Sequence, residues 1–183
     1  MVQDFLEPLV CERLVAEMSA LQGRSSVVYG SSRSGVVEES TRRSLRLTPS
    51  DETVELITRD LVDCMDQVAR HFAVTVSEYE DPQFLRYQKG DFFVAHQDGN
   101  TGLLRLDTER RLGSTVIFLN REAESPEEGD YCGGSLVFTN LRDSTKFRLR
   151  AEPGTLIAFR SETTHEVTPV THGERYSIVS WYR

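Results

Sequence analysis

His96 and Asp98, separated by one residue in "RYQKGDFFVAHQDG" (86–99), are the first candidates for chemistry. They follow an aromatic run with the texture of a strand, where residues i and i+2 share a face. An imidazole and a carboxylate on one face can both reach one point in space. Divalent iron is commonly held by two histidines and one carboxylate on one side of an octahedron, with open positions opposite. A His-x-Asp pair alone more often marks a hydrogen-bonded pair on a strand, so the metal reading needs a third ligand. The chain has three further histidines. His71 ends a helical pattern beside Phe72 and reads as a helix-end or partly buried residue. His172 sits in "VTHGERY", where His-Gly reads as an exposed hairpin turn. His165 opens the strand-like "HEVTPV" and is the best third ligand.

Arg175 follows on the next strand, across a turn from His165. A buried guanidinium needs a carboxylate or comparable partner, which it grips with two hydrogen bonds. The apolar "YSIVSWY" beside it favours such an anchor over a rim arginine. Tyr87, upstream of His96, could supplement a carboxylate clamp or be a core tyrosine, with equal weight. Arg42, Arg43 and Arg111 could meet a substrate carboxylate, although a surface or structural charge is the favoured reading of each. The loops at 29–44, 99–113 and 122–132 are expected to choose the substrate, with "GNTGLLRLDTERRLG" long enough to act as a flap.

Several elements must position these residues. "EPLVCERLVAEMSALQG" starts near Pro8 and ends at Gly23, a candidate C′ residue, with Leu9, Leu14, Met18 and Leu21 at helical spacing. A short strand is expected near "SSVVYG" and another at "TRRSLRL". "SDETVELITRDLVDCMDQVARHF" places Val54, Ile57, Leu61, Met65 and Val68 on one stripe behind Ser50, which predicts a long amphipathic helix. From Gln83 the texture changes. "QFLRYQ", "FFVAH", "STVIFLN", "GSLVFTN", "KFRLRA", "TLIAFR", "HEVTPV" and "RYSIVSWYR" are short, β-branched or aromatic, and separated by Gly, Pro, Asn or Asp. That spacing predicts an antiparallel sandwich or barrel, buttressed on one side by two helices.

The 183 residues suit one domain, with a helical N-terminal part over 1–82 and a β core over 83–183. With 38% hydrophobic and 27% charged residues, the composition is that of a soluble globular chain. A formal charge of −8 argues against nucleic acid or an anionic membrane as the main partner. The acidic "EAESPEEGD" (122–130) reads as a solvated loop. Three cysteines without zinc-finger spacing suggest a reducing, cytoplasmic setting and no disulfide framework. The N-terminus lacks the pattern of a signal peptide, and no apolar run approaches a membrane span. Oligomeric state is not legible.

Tyr87, Gly90, Phe93, His96 and Asp98, the "FLN" of 118–120, "GGSLVF" from Gly133, and "HEVTPV…RYSIVSWY" together resemble the prolyl-4-hydroxylase branch of the iron(II)/2-oxoglutarate dioxygenases. "DFLEPLVCERLVAEM" and "ESTRRSLRL" resemble that branch's opening helix and its Arg-Ser strand. The resemblance covers essentially the whole chain. It implies an α+β, mainly β fold: a double-stranded β-helix, or jelly roll, buttressed by N-terminal helices. It implies His96, Asp98 and His165 as iron ligands and Arg175 as partner of the distal carboxylate of 2-oxoglutarate. Tyr87 would be a second contact, Leu136 and Trp181 would line the pocket, and Ser114 or Ser177 would lie nearby. It also implies Fe(II), 2-oxoglutarate and O2 as reactants, release of succinate and CO2, and ascorbate only as an accessory. Oxygen-sensing members carry a tyrosine where this chain has Phe118. The implied substrate is a prolyl residue of a protein or peptide. The alternatives are a free or carrier-bound amino acid, or a jelly-roll binding module without catalysis.

Overall fold

Ser50 separates a strand from the longest helix. Its backbone is extended and its hydroxyl accepts from the Thr53 N–H, so helix α2 begins at Asp51 and runs Asp51–Phe72. In the computed structural model, residues 1–26, 38–99, 108, 110–150 and 152–183 are described. Helix α1 (Pro8–Ala20) comes first, then strands β1 (Arg24–Ser25), β2 (Arg42–Arg43) and β3 (Leu45–Leu47) before α2. After α2 come β4 (Gln83–Tyr87), β5 (Phe92–His96), β6 (Gly113–Phe118), β7 (Cys132–Gly133), β8 (Leu136–Thr139) and β9 (Lys146–Leu149). Strands β10 (Leu156–Arg160), β11 (His165–Val167), β12 (Val170–His172) and β13 (Arg175–Tyr182) complete the chain. Among the described residues, no helix is long and apolar enough to cross a membrane.

The strands form a six-stranded sheet in the order β1-β3-β4-β13-β6-β10 and a five-stranded sheet in the order β2-β5-β11-β8-β9. All the pairings within them are antiparallel. A small β12-β7 pair lies beside them. Alternation divides the six-stranded sheet into two faces. Phe84, Ile117, Leu156, Tyr176, Ile178 and Tyr182 pack on α1 and α2 with Leu14, Met18, Ile57, Leu61 and Val68. Val116, Phe118, Ile157 and Phe159 point the other way and pack on Leu136 of the second sheet. Leu85 and Tyr87 do the same against Val167 and Val170. The helices therefore cover one side, and the site lies between the sheets.

Some local expectations are corrected. Leu9 is 69% exposed, and Cys11 takes its place on the buried stripe of α1. Gly23 is not a left-handed C′ residue, because α1 ends on the extended Leu21. Gly23 is required by close approach instead: a Cβ there would lie 2.6 Å from the Leu45 Cβ. "TRRSLRL" is two strands in two sheets, and the buried Ser44 between them bonds to Ser26 and Arg42. "HEVTPV" also splits, with β11 in the five-stranded sheet and β12 on β7. The acidic loop is not simply solvated. Glu122 is bonded by the Ser135 hydroxyl and paired with Arg148, and Asp130 is paired with Arg121. Of the expected substrate-choosing loops, residues 29–37, 100–107 and 109 lie outside the described residues.

Candidate functional site

His96 ends β5, and its Cα partner across the antiparallel pair is His165, which begins β11. The register shifts along this pair, so Phe93 opposes Val167 while His96 opposes His165. Such a bulge puts an extra residue on β5 and re-aims the side chains. As a result Phe93 stacks on the His96 ring, with centroids 3.5 Å apart. Asp98 lies just beyond β5. Its N–H and that of Gly99 both donate to the Ser161 carbonyl, at 2.9 and 3.1 Å. Gly99 must be small here, since a Cβ would come within 2.2 Å of the Thr108 carbonyl oxygen.

The three side chains converge, with ligand atoms of His96, Asp98 and His165 all within 4.8 Å of one another. His96 Nε2 is 3.5 Å from Asp98 Oδ1, and His165 Nε2 is 3.6 Å from Asp98 Oδ2. The other ring nitrogens are occupied: His96 Nδ1 lies 2.8 Å from the Val94 carbonyl and His165 Nδ1 2.9 Å from the Thr163 carbonyl. A carbonyl can only accept, so each Nδ1 is the N–H and each Nε2 offers its lone pair to the cluster. Burial holds the His165 imidazole neutral, its pKa pushed down to about 4 even with Asp98 beside it. Burial opposes the Asp98 charge, but the His165 and His96 rings and the Ser114 hydroxyl outweigh it and hold the carboxyl below the usual range. A neutral His165 and an ionised Asp98 are the protonation states that a divalent cation needs. Two nitrogens and one oxygen also match the donor set of an iron(II) site with open positions.

Farther into the space between the sheets lies Arg175, 2% exposed. It shares a face of β13 with Ser177, Val179 and Trp181. Its Nη1 donates to the Ser177 hydroxyl at 2.7 Å, and its Cζ lies 5.2 Å from the ring centroids of both Tyr87 and Phe118. Its Nε is buried without a hydrogen-bond partner, and among the described residues no carboxylate lies within 4.0 Å of it. A buried cation left this way fits a ligand that brings its own carboxylate, as 2-oxoglutarate does.

Of the other expected pocket residues, Ser114 bonds to the Ser161 hydroxyl, and Leu136 pairs with Val167 of β11. Trp181 is buried beneath Arg111, its Nε1 without a partner. The three candidate substrate arginines part company. Arg42 is buried, bonded to Ser44, and lies 4.8 Å above the ring of Phe93, on the edge of the site. Arg43 is exposed and donates to the Gly90 carbonyl. Arg111 is 7% exposed and bonded twice to Glu80 at 2.6 Å. Its Nη1 also donates to the Asp98 carbonyl at 3.4 Å, so its charge is already partnered and steadies the Asp98 backbone. His172 is exposed at the expected turn, and His71 is exposed at the end of α2. Sequence reasoning missed Ser161 and Glu80, whose partners are distant along the chain, and Tyr131, which the fold buries across Gly134 from Arg175.

A family model described as the 2OG-Fe(II) oxygenase superfamily matches residues 82–183. The chain belongs to this superfamily. A PKHD-type hydroxylase of Shewanella oneidensis is 31% identical over 163 residues, covering 84% of this chain and 66% of that protein. A PKHD-type hydroxylase of Phenylobacterium zucineum is 28% identical over 171 residues, covering 91% and 71%. The chain thus spans about two thirds of the length of the Shewanella relative. Among solved structures, a Pseudomonas putida prolyl-4-hydroxylase superposes with a TM-score of 0.69 at 23% identity, covering 98% of this chain and 89% of that one. A Trichoplax adhaerens prolyl hydroxylase, in complex with a hypoxia inducible factor peptide fragment, gives 0.69 at 17% identity, covering 99% and 81%. These superpositions establish the superfamily's jelly roll as the fold of this chain, as the sequence resemblance implied.

Proposed function

We propose that this protein is an iron(II)- and 2-oxoglutarate-dependent hydroxylase acting on a prolyl residue of a protein or peptide. One observation carries the chemistry. A His-Asp-His cluster with its Nδ1 atoms turned to backbone carbonyls stands on the five-stranded sheet, and the six-stranded sheet carries a buried arginine that lacks a carboxylate. The prolyl substrate rests on the relatives: hydroxylases in sequence, and prolyl hydroxylases in structure, one of them holding a peptide.

In this reading His96, Asp98 and His165 hold the metal, and the Val94 and Thr163 carbonyls keep both imidazoles in the binding tautomer. Arg175 takes the distal carboxylate of 2-oxoglutarate, with the Tyr87 and Phe118 rings excluding water from its faces. Bound iron(II) with 2-oxoglutarate and O2 supplies the oxidation that puts a hydroxyl on the substrate carbon and yields succinate and CO2. Asp98 stays ionised, and no residue of the chain needs to transfer a proton. Arg42, on Phe93 at the edge of the site, is the candidate contact to the incoming substrate. The three free cysteines suit a reducing, cytoplasmic setting.

The test is succinate release with iron(II) and 2-oxoglutarate, offered proline-containing peptides or free proline, with mass spectrometry of the products. Peptide-dependent succinate and the mass gain of one oxygen on proline are expected. Turnover with free amino acids and none with peptides would replace the prolyl-peptide assignment by a small-molecule one. A protein that binds a partner unchanged after His96→Ala would instead be a binding module.

A further inference from the structure

The Arg175 Nε–H is not the only buried donor here without an acceptor. Tyr131 is 0% exposed, and its hydroxyl likewise has no hydrogen-bond partner. The two side chains approach across Gly134. A Cβ on that glycine would lie 3.2 Å from Arg175 Cδ and 3.3 Å from Tyr131 Cε2, so a residue without a side chain lets them meet. Tyr131 is fixed from behind: its N–H donates to the Arg121 carbonyl and its own carbonyl accepts from the Ala123 N–H. Asn120 ties the same loop to the start of β13 through the Gly129 and Glu174 carbonyls.

Burial pushes the Tyr131 phenol up, and the positive Arg175 only partly offsets this, so the hydroxyl keeps its proton and is a donor at neutral pH. The nearby Glu122 is already engaged by Ser135 and Arg148. The two rings that flank the guanidinium differ, since Phe118 brings no hydroxyl. What remains is a buried guanidinium Nε–H and a buried phenol O–H, neither with an acceptor for its hydrogen, on side chains that meet across Gly134, with the phenol oxygen turned to the guanidinium. Leaving two such groups unmet is unfavourable in the ligand-free protein and favours a ligand that can accept from both.

We propose that the Tyr131 hydroxyl is a second donor to the distal carboxylate of 2-oxoglutarate, forming with Arg175 the site that selects a dicarboxylic keto acid. The inference rests on the proposed function and adds a residue that binds the cosubstrate. A site built from paired donors discriminates strongly against an analogue that lacks the acceptor.

The experiment is calorimetric titration of the protein loaded with Mn(II), which does not turn over. Two ligands are compared: 2-oxoglutarate, and 2-oxovalerate, which has the same keto-acid head and a methyl group in place of the distal carboxylate. Tyr131→Phe removes one oxygen atom and no packing. It should weaken 2-oxoglutarate about tenfold or more and leave 2-oxovalerate unchanged. The melting temperature of the ligand-free variant should hold or rise, because the lost hydroxyl had no partner. Unchanged affinity for 2-oxoglutarate would overturn the proposal. So would an equal loss for both keto acids with a lower melting temperature, the mark of a purely structural tyrosine. Wild-type protein that binds no 2-oxoglutarate would remove the functional reading itself, a result separate from either.

Discussion

Arg175 is where stability and function pull apart. Its guanidinium is buried against two aromatic rings with one hydroxyl as acceptor and no carboxylate. A buried charge without its partner destabilises the ligand-free fold, and an apolar residue of similar volume is often neutral or better. Arg175→Met should therefore keep or raise the ligand-free stability, by up to about 2 kcal/mol in denaturant unfolding. The same change should lower 2-oxoglutarate affinity by roughly ten- to hundredfold, as the loss of charged hydrogen bonds predicts. A variant that unfolds easily yet binds 2-oxoglutarate normally would make Arg175 a core strut. At this scale the sequence was informative where spacing is local. His96 and Asp98 are two residues apart, and period-two geometry alone brings them together. Tyr131 was not legible: it sits in an acidic loop, and only the fold carries it to Arg175. Arg111 read as a surface or structural charge and is a structural one, but its partner, Glu80, lies a long way back along the chain and was not legible.

The elements owe their accuracy to a few contacts that no local pattern announces. The β5 bulge lets Phe93 support the His96 ring. Glu80 gathers the end of β13 and the segment before β6 by bonding both Arg111 and Arg183. Burial works against the Glu80 charge, but the two guanidiniums outweigh it and hold the carboxyl below its ordinary 4.5. A carboxyl whose folded pKa is depressed adds stability that is complete above the unfolded value and disappears as pH falls through the folded one. Glu80→Gln should thus cost about 3 kcal/mol at neutral pH, since two part-buried guanidiniums lose their carboxylate. It should also flatten the acid side of the stability profile below about pH 4.5. Urea unfolding across a pH series checks both, and an unchanged neutral stability would mean that the arginines find other acceptors. The long helix, the strand run and their order were legible from periodicity. The breaks inside "TRRSLRL" and "HEVTPV" were not, because a sheet change at Ser44 or around Pro169 leaves the β texture intact.

At the scale of the molecule, the helix-backed sheet and the cavity face have separate packing. The core around Leu14, Met18, Ile57, Leu61 and Tyr182 does not involve the candidate ligands, so the fold should persist without metal. Chelator should leave a cooperative unfolding transition. Divalent metal at a hundredfold excess over its Kd should add about 2.7 kcal/mol, a rise of roughly 5–10 °C for a chain of this size. His96→Ala should abolish that rise, and a chelated protein with no transition would show that the metal is structural. The most direct test of the central claim is anaerobic addition of iron(II) and then 2-oxoglutarate to metal-free protein, followed by visible absorption. A weak charge-transfer band is expected in the wild type, absent in His96→Ala and in Asp98→Ala, and much weakened in Arg175→Met at the same 2-oxoglutarate concentration. No band in the wild type, with iron shown not to bind, would contradict the assignment of His96, Asp98 and His165 as a metal centre.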